Sequence, residues 1–434
     1  MSIRLGIRSI FTATLAWLAT GLWLAETGHA ATGDWPRFRG PDGAGISPAT
    51  NLPTQWTDQG LWWKVRLPGR GHSSPVGLNG RVFITSGDDA TGLRTVSCFR
   101  ATDGFRLWEK TFASSPVRLN RLNSAASSTP AVDEDRLYLY WATPQEITVL
   151  ALDHQGSEVW KRSLGPFLSQ HGCGTSPVLF QDMVILNNDQ DGPSSLLALD
   201  RKTGATRWQI HRKKDRVAYS TPCVFRPAAG QAELIFTSSI QGMTSIDPLR
   251  GAVNWEYSSA FPFRTVGSPV PVGGLIVATC GEGGIGRRLV AIRPGSHGRP
   301  AEMVYDHKKA IPYVPTPLGF GDHVFLWGDN GQVGCMQAAT GKMLWQEKLG
   351  DTFMGSPIWV EGRLYCLSNK GVVFVLSASE KFQLLAENPL GEESQATPAV
   401  VDNVLLLRTA TQLFAVGPGN LKPQSARPPG SGLP

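Results

Sequence analysis

Residues 175–212 read TSPVLFQDMVILNNDQDGPSSLLALDRKTGATRWQIHR. After Ser176-Pro177, short apolar runs alternate with polar turns, and the last run ends in Trp208 and its neighbours. Apolar runs bounded by Gly, Asp and Asn turns are typical of strands joined by hairpins. This stretch therefore predicts one sheet of four short antiparallel strands.

The same pattern occurs eight times along the chain. Each copy begins with Ser or Thr followed by Pro and an apolar run, at Pro75, Pro130, Pro177, Pro222, Pro269, Pro317, Pro357 and Pro398. Successive prolines are 40 to 55 residues apart, a spacing typical of proteins that repeat one four-stranded sheet around an axis. The sequence predicts an all-β, eight-bladed β-propeller of four-stranded antiparallel blades.

A second motif connects the third and fourth strands of each unit. A turn glycine, which accepts a positive φ at little steric cost, stands at Gly104, Gly156, Gly204, Gly251, Gly298 and Gly341. Beyond the turn a large aromatic side chain, suited to the space between neighbouring sheets, recurs as Trp108, Trp160, Trp208, Trp255 and Trp345. Tyr305 and Leu385 occupy the equivalent place in two units, and the seventh unit has Ser379-Glu380-Lys381 in place of the glycine turn.

The two ends of the repeat region complement each other. The eighth unit has only three predicted strands, ending at Val416, while Leu61-Trp62-Trp63-Lys64-Val65 precedes the first unit without partner strands. We expect this N-terminal strand to complete the last blade, which would leave no open sheet edge. The propeller would then span residues 34–417, about 48 residues per blade.

The two termini lie outside this region. Arg4 and Arg8 precede an apolar run over 10–25 and small residues up to Ala30, the arrangement of a secretory signal peptide. Residues 1–30 therefore predict a secreted or periplasmic protein, although retention of this segment as an anchor stays open. No later run is long enough for a transmembrane helix, and the segment 418–434, rich in Pro, Gly and Ser, is predicted to be disordered.

Composition restricts the possible partners. The net charge is +6, but the basic residues are dispersed, so nucleic-acid binding is not indicated. The six cysteines, Cys98, Cys173, Cys223, Cys280, Cys335 and Cys366, contain no Cys-x-x-Cys pair and do not predict zinc or haem sites. We expect buried thiols, with a disulfide between Cys173 and Cys223 left open.

Within the units, Leu197-Ala198-Leu199-Asp200-Arg201-Lys202-Thr203-Gly204 with Trp208, and Ala338-Ala339-Thr340-Gly341 with Trp345, resemble the pyrroloquinoline-quinone-type (PQQ-like) propeller repeat. The layout is similar to BamB, a family of outer-membrane assembly factors, and to secreted propeller proteins of planctomycetes, whose opening resembles residues 34–41. The resemblance implies a propeller fold, and either an envelope role or a quinoprotein dehydrogenase that binds PQQ with calcium. The chain has no adjacent cysteine pair as in many such dehydrogenases, and no cysteine before Cys98 to carry a lipid as in BamB.

The repeat also places a candidate site. The first strand of each propeller blade lines the central channel, so side chains just before each Ser/Thr-Pro should surround one mouth of it. These candidates are Arg70, His72, Asn123, His171, Tyr219, Arg264, Tyr313 and Gln395. A concave, partly cationic mouth suits a carboxylate or an anionic glycan; the alternative is a set of solvated loop residues.

Three other motifs have both a functional and a structural interpretation. His72 and His171 precede equivalent prolines and could bind a metal or exchange protons, or serve as structural histidines. The run 187–192 resembles the start of a calcium loop but has Ala198 where a bidentate Glu is needed, and 281–286 is glycine-rich without a following helix. A polar turn and a glycine-rich hairpin are the expected structures, and no metal site is predicted.

Together these features predict an exported propeller that acts as a binding scaffold in the cell envelope. The expected partner is an envelope or extracellular protein, or a polysaccharide, bound by a monomer without a cofactor. The alternative is a PQQ-dependent dehydrogenase, in which His72, His171, Tyr219 and Arg264 would contact the quinone at the channel mouth.

Overall fold

The computed structural model describes residues 33–418, except 118–119, 121, 214–215, 284, 297–298 and 310. In this part of the chain the strands form eight sheets, each built on four antiparallel strands, and one of them carries Ile46–Ser47 as a fifth, parallel strand. The protein is an all-β, eight-bladed propeller, and helix within the described residues is limited to one 3₁₀ turn, Asp58–Gly60. The predicted signal peptide and residues 419–434 of the predicted tail lie outside the described residues.

Each blade follows the chain from its first, innermost strand to its fourth, outermost strand. The strands of blades 1 to 4 are Val76–Leu78, Arg81–Gly87, Arg94–Arg100 and Arg106–Phe112; Ala131–Val132, Arg136–Ala142, Ile147–Asp153 and Glu158–Ser163; Val178–Phe180, Met183–Asn188, Ser194–Asp200 and Thr206–Arg212; Cys223–Phe225, Glu233–Ser238, Gly242–Ile246 and Val253–Tyr257. Those of blades 5 to 7 are Val270–Val272, Leu275–Glu282, Ile285–Arg293 and Glu302–His307; Leu318–Phe320, His323–Trp327, Gln332–Gln337 and Met343–Lys348; Ile358–Val360, Arg363–Leu367, Val372–Ser377 and Leu384–Pro389. The first three strands of blade 8 are Ala399–Val401, Val404–Arg408 and Gln412–Val416.

The apolar core lies between the blades. Seven buried clusters each combine side chains from the facing sheets of adjacent blades, for example Phe83 of blade 1 with Leu137 of blade 2 and Phe325 of blade 6 with Leu364 of blade 7. Alternation along each strand sends one side chain toward the preceding blade and the next toward the following blade. A blade therefore buries its two faces only when both neighbours are present.

The recurring tryptophans connect each blade to the next one. Trp160 of blade 2 donates its indole N–H to the carbonyl of Arg201 in blade 3 at 2.9 Å, and its ring lies against Gly204, where a Cβ would meet ring atoms at 2.7 Å. Gly204 has φ of +71°, so the turn and the close approach both require glycine. The glycine and tryptophan motifs are therefore two halves of one contact between blades.

The propeller closes as the sequence predicts. Trp63–Arg66 pairs antiparallel with Gln412–Val416 and becomes the fourth strand of blade 8. Trp63 is 7% exposed and donates to the carbonyl of Ala101 in blade 1 at 2.8 Å. The last blade thus contacts the first in the same way as the others contact their successors.

A ring of hydrogen bonds surrounds the axis. The backbone N–H of each Ser or Thr in the Ser/Thr-Pro motif donates to the side-chain oxygen of its counterpart in the next blade, at 2.9 to 3.2 Å. Serine and threonine alternate around this hydroxyl ring, whose members are Ser74, Thr129, Ser176, Thr221, Ser268, Thr316, Ser356 and Thr397. The bond from Thr397 to Ser74 closes the ring.

The N-terminal residues 34–47, here the axial segment, cross the channel. Trp35 exchanges backbone hydrogen bonds with Gly77 in blade 1, whereas Arg39 donates to the carbonyls of Pro317 and Pro357 in blades 6 and 7. The segment ends as Ile46–Ser47, parallel to the first strand of blade 7. Because its contacts lie on opposite sides of the ring, this segment forms a floor across the propeller axis.

The cysteines lie at the interfaces between blades, and Cys173 and Cys223 lie at different ones. All six are free thiols; Cys173 contacts the clusters between blades 1 and 2 and between blades 2 and 3. Cys223 lies in the cluster between blades 4 and 5, and burial raises the pKa of its thiol to about 12. The disulfide considered between Cys173 and Cys223 is therefore absent, because the two side chains pack in different parts of the core.

The hydroxyl ring can be tested at Thr221, whose side-chain oxygen accepts from Ser176 N–H at 3.2 Å. Thr221→Val keeps the shape but leaves that buried N–H without its acceptor, so the free energy of unfolding should fall by about 1 to 3 kcal/mol. Urea denaturation measures the change. Thr206→Val, at an exposed strand position, is the matched control and should change stability by less than about 0.5 kcal/mol; equal effects of the two substitutions would contradict a role of the ring.

Closure can be tested at Trp63. Trp63→Ala should lower the free energy of unfolding by about 3 to 5 kcal/mol because it empties the space between blades 8 and 1. Trp63→Phe retains most of that volume and should lose about 1 kcal/mol with the indole hydrogen bond. If calorimetry shows the alanine variant melting like the wild type, the N-terminal strand does not seal the propeller.

Candidate functional site

A cavity of about 320 Å³ lies on the propeller axis. All eight members of the hydroxyl ring line it, and Phe38 of the axial segment contributes to its lining. Since the axial segment crosses the channel at Phe38, the cavity is blind at that end and opens toward the loops that precede the first strands. Its wall combines hydroxyls with apolar groups such as Leu122, Val314 and Met354.

Most of the side chains expected at the channel mouth line this cavity. They are His72, Asn123, His171, Tyr219, Arg264, Tyr313 and Gln395. Arg70 does not: its backbone bonds to Gly87, and its guanidinium, 58% exposed, pairs with Glu393. The structure thus brings seven of the eight residues together and leaves Arg70 outside the cavity, paired with the loop before blade 8.

Arg264 is the cation that faces the cavity. Its side chain is 9% exposed, and it interacts with His171 Nε2 at 3.3 Å and donates to Gln170 Oε1 at 3.1 Å. The Nε atom has no partner among the described residues, and the nearest carboxylate oxygen, on Glu282, is 3.8 Å away. Glu282 is itself paired with Arg216, so the Arg264 guanidinium keeps donor capacity for a ligand.

The two histidines lie in different environments. Burial, followed by the charges of Arg408 and Arg70, lowers the pKa of His72 to about 4. Burial and the neighbouring Arg264 also lower the pKa of His171, whose ring packs against Tyr219 at 6.3 Å between centroids. Both imidazoles are therefore neutral at pH 7, and among the described residues that line the cavity the positive charge is that of Arg264.

Some polar side chains at the mouth hold the loops in place. Asn123 donates to the carbonyls of His171 and Cys173, which connects the loop before blade 2 to the loop before blade 3. Tyr219 Oη lies 3.2 Å from Ser169 Oγ. These contacts fix the wall of the cavity and leave Arg264 as the group best placed for a ligand.

Two motifs noted in the sequence serve the fold. In 187–192, Asp189 lies 3.2 Å from the guanidinium of Arg212 and Asn187 donates to the carbonyl of Ser220, so these side chains support a buried turn. The glycine-rich stretch 281–286 is a hairpin in which Glu282 pairs with Ile285. Both motifs therefore have a structural explanation.

The fit of a calcium-bound quinone depends on the donors around the cavity. No Asp or Glu occurs among the lining residues, and no cluster of three or more His, Cys, Asp and Glu side chains is found in the described ranges. Calcium in proteins takes six to eight oxygen ligands, usually including carboxylates. The described residues of the cavity therefore do not fit PQQ with calcium.

Two parts of the site are not predicted by the position of a residue within the repeat. The hydroxyls of the ring mark each repeat unit, and their strict Ser/Thr alternation is the signal in the sequence that indicates a shared surface. Phe38 and the axial segment have no counterpart in the repeat, so its period carries no information about them.

The fold and its axial cavity define a propeller of PQQ-like repeats. Comparison with family models assigns the chain to the family described as outer membrane protein assembly factor BamB, through matches to residues 94–303 and 298–422. The chain belongs to this family, which confirms the resemblance seen in the repeats. No curated protein matches the sequence.

Solved structures share the fold at low sequence identity. BamB from Moraxella catarrhalis is 15% identical, with a TM-score of 0.57 over 82% of this chain and 96% of that one. A quinohemoprotein alcohol dehydrogenase from Comamonas testosteroni is 13% identical, with a TM-score of 0.66 over 92% of this chain and 83% of that one. Within the described residues, no helix has the length and hydropathy needed to cross a membrane.

The environment of His72 predicts a pH dependence of stability. Its pKa is about 4 in the folded protein against roughly 6.5 when unfolded, so the unfolded state binds the proton first as pH falls. Stability is then fully present above pH 6.5 and lost toward pH 4, by about 2 kcal/mol between pH 7.5 and pH 5. Urea titrations at both pH values should show a smaller difference for His72→Gln, and an unchanged difference would exclude this cause.

Proposed function

We propose that this protein is a binding protein of the cell envelope that engages a protein partner over its axial cavity. The observation that carries the proposal is Arg264, a guanidinium held at the wall of a blind cavity with one donor unpartnered. Buried donors of this kind are costly unless a ligand or water pairs with them. A carboxylate is the ligand that a guanidinium binds with the best geometry.

The surface around the mouth supports a protein partner. In antiparallel blades, the loops before the first strands and those between the second and third strands lie at the same end. Exposed apolar side chains at this end are Leu122 at 48% and Leu168 at 47% in the loops, and Ile285 at 67% where the third strand of blade 5 begins. Apolar contacts around a central polar anchor are typical of protein interfaces, so we infer an extended segment with an acidic side chain among apolar ones.

Family membership supports the cellular setting of this proposal. The matched family is described as an outer membrane protein assembly factor, and the sequence begins with features of a secretory signal peptide. An envelope location and a protein-binding role agree with both. An anionic polysaccharide offers the same carboxylate chemistry, and the experiment below separates the two kinds of partner.

The test uses a display library of random ten-residue peptides selected on the wild-type protein. We expect the selected peptides to be enriched in Asp or Glu flanked by apolar residues. Arg264→Gln should weaken their binding at least tenfold in fluorescence anisotropy, because it removes a charge-assisted hydrogen bond. Arg70→Gln, the same substitution outside the cavity, should leave the dissociation constant unchanged.

Two further titrations decide against the alternatives. Polygalacturonate, a carboxylate polysaccharide, should bind at least tenfold more weakly than the selected peptides. PQQ with calcium should give no saturable quenching of tryptophan fluorescence. Saturable quenching with reduction of a redox dye would overturn the binding-protein proposal in favour of a quinoprotein dehydrogenase, and equal effects of Arg264→Gln and Arg70→Gln would remove Arg264 from it.

A further inference from the structure

A second, smaller cavity lies inside the wall between blades 1 and 2. Its volume is about 10 Å³, which is room for one species the size of a water molecule or a small ion. Ser86 and Arg94 contribute from blade 1, Ser128 and Tyr140 from the blade 2 side, and Cys173 from the loop before blade 3. This cavity is separate from the axial cavity and has no part in the proposed function.

Four buried polar atoms around this cavity have no hydrogen-bond partner in the part of the chain that the structure describes. They are Ser86 Oγ, Arg94 Nε, Ser128 Oγ and Tyr140 Oη. Few buried polar atoms in native proteins lack a hydrogen-bond partner, and a bound water or ion often satisfies those that do. Here all four line one cavity, so a single bound species can satisfy them together.

The charge of Arg94 distinguishes an ion from a water. Arg94 is 5% exposed, and no carboxylate lies within ion-pair distance of it among the described residues. Asp89, the carboxylate whose charge acts on Arg94, is exposed and accepts a hydrogen bond from the Ala125 N–H. Burial raises the pKa of the Cys173 thiol, which keeps that group neutral. Water would satisfy the hydrogen bonds but leave an uncompensated buried cation, which is costly.

Other buried guanidinium groups in this fold have acceptors. Arg212 pairs with Asp189 and Ser238, and Arg39 donates to four backbone carbonyls. Arg94 has no comparable acceptor in the described residues. The fold therefore leaves at Arg94 a place for an acceptor that the chain does not supply.

We propose that the cavity between blades 1 and 2 binds one small monovalent anion of chloride size, held by Arg94, Tyr140 and the hydroxyls of Ser86 and Ser128. Each hydroxyl can turn its hydrogen toward the anion, so the four groups act together as donors. The small volume excludes carboxylates and phosphates. The anion would connect blades 1 and 2 next to the axial cavity and stabilise the folded state.

Bromide, which scatters anomalously, is the first probe. Crystals of the protein grown in sodium bromide should show an anomalous peak within about 3.5 Å of Arg94 Nε, at hydrogen-bonding distance. A cavity whose density refines as water in 1 M bromide would overturn the proposal. An anomalous peak only at surface sites would overturn it equally.

A solution measurement complements the crystals. The melting temperature should rise saturably as chloride replaces gluconate at constant ionic strength, since a ligand of the folded state stabilises it. Tyr140→Phe should weaken the apparent chloride affinity about tenfold, the loss of one hydrogen bond to a charged group, and Arg94→Met should abolish the response. Tyr138→Phe is the matched control, because Tyr138 lies on the same strand as Tyr140 but donates its hydroxyl to Asp133 and lies outside the cavity.

The tyrosine variants test the proposal even if Arg94→Met fails to fold. A chloride response that Tyr140→Phe reduces and Tyr138→Phe retains supports the anion site. A response that is absent in the wild type, or equal in the two tyrosine variants, overturns it. Peptide binding at Arg264 plays no part in either readout, so the two proposals stand or fall independently.

Discussion

The hydroxyl ring joins the first strands of all eight blades around the propeller axis. The first strands of a propeller converge on the axis, where each one approaches only two neighbours. In each Ser/Thr-Pro motif the proline has no N–H to donate, so the preceding amide is the last donor before the strand begins, and the next blade supplies its acceptor. The bond repeats from Ser74 to Thr397 and back to Ser74, which sets one common distance between blades. The width of the axial cavity follows from that distance.

The Ser/Thr-Pro motifs contact both the cavity and the axial segment. The Ser and Thr hydroxyls face the cavity. The carbonyls of the prolines that follow accept hydrogen bonds from the axial segment: Pro222 accepts from Arg37, and Pro357 accepts from Arg39. Gly45 has φ of +77°, and a Cβ there would meet the Arg39 guanidinium at 2.8 Å, so the segment can bend over its own arginine. The floor of the cavity is thus held by the same strands that form its wall. Phe38 reaches the cavity because both neighbouring arginines are fixed below it.

The repeat in the sequence predicts most of the fold. Ser/Thr-Pro, the turn glycines and the tryptophans each mark a position that every blade repeats, and the missing fourth strand of blade 8 identified Trp63 as its replacement. Position relative to the proline also placed seven of eight candidate residues at the cavity. Arg70 lies outside the cavity, unlike the other seven. Gly69 and Gly71 beside it allow the backbone to form hydrogen bonds with Gly87 and Ala410, away from the axis. The repeat does not predict the axial segment or the cavity between blades 1 and 2, because each depends on contacts between residues that are far apart in the sequence.

Closure between blades 8 and 1 requires more than a strand. Pairing Trp63 with Ala415 joins residues about 350 positions apart, and the entropic cost of closing such a loop is roughly 4 kcal/mol above that of a hairpin contact. Every other pair of adjacent blades is joined by a short covalent connection. At this seam the indole of Trp63 binds Ala101, Thr397 completes the hydroxyl ring, and Arg408, fully buried, donates to both oxygens of Ser73. Hydrogen bonds from three kinds of donor, an indole, a backbone amide and a guanidinium, therefore join blades 8 and 1, which no covalent loop connects. The loss of any one of these contacts leaves two to hold the ring closed.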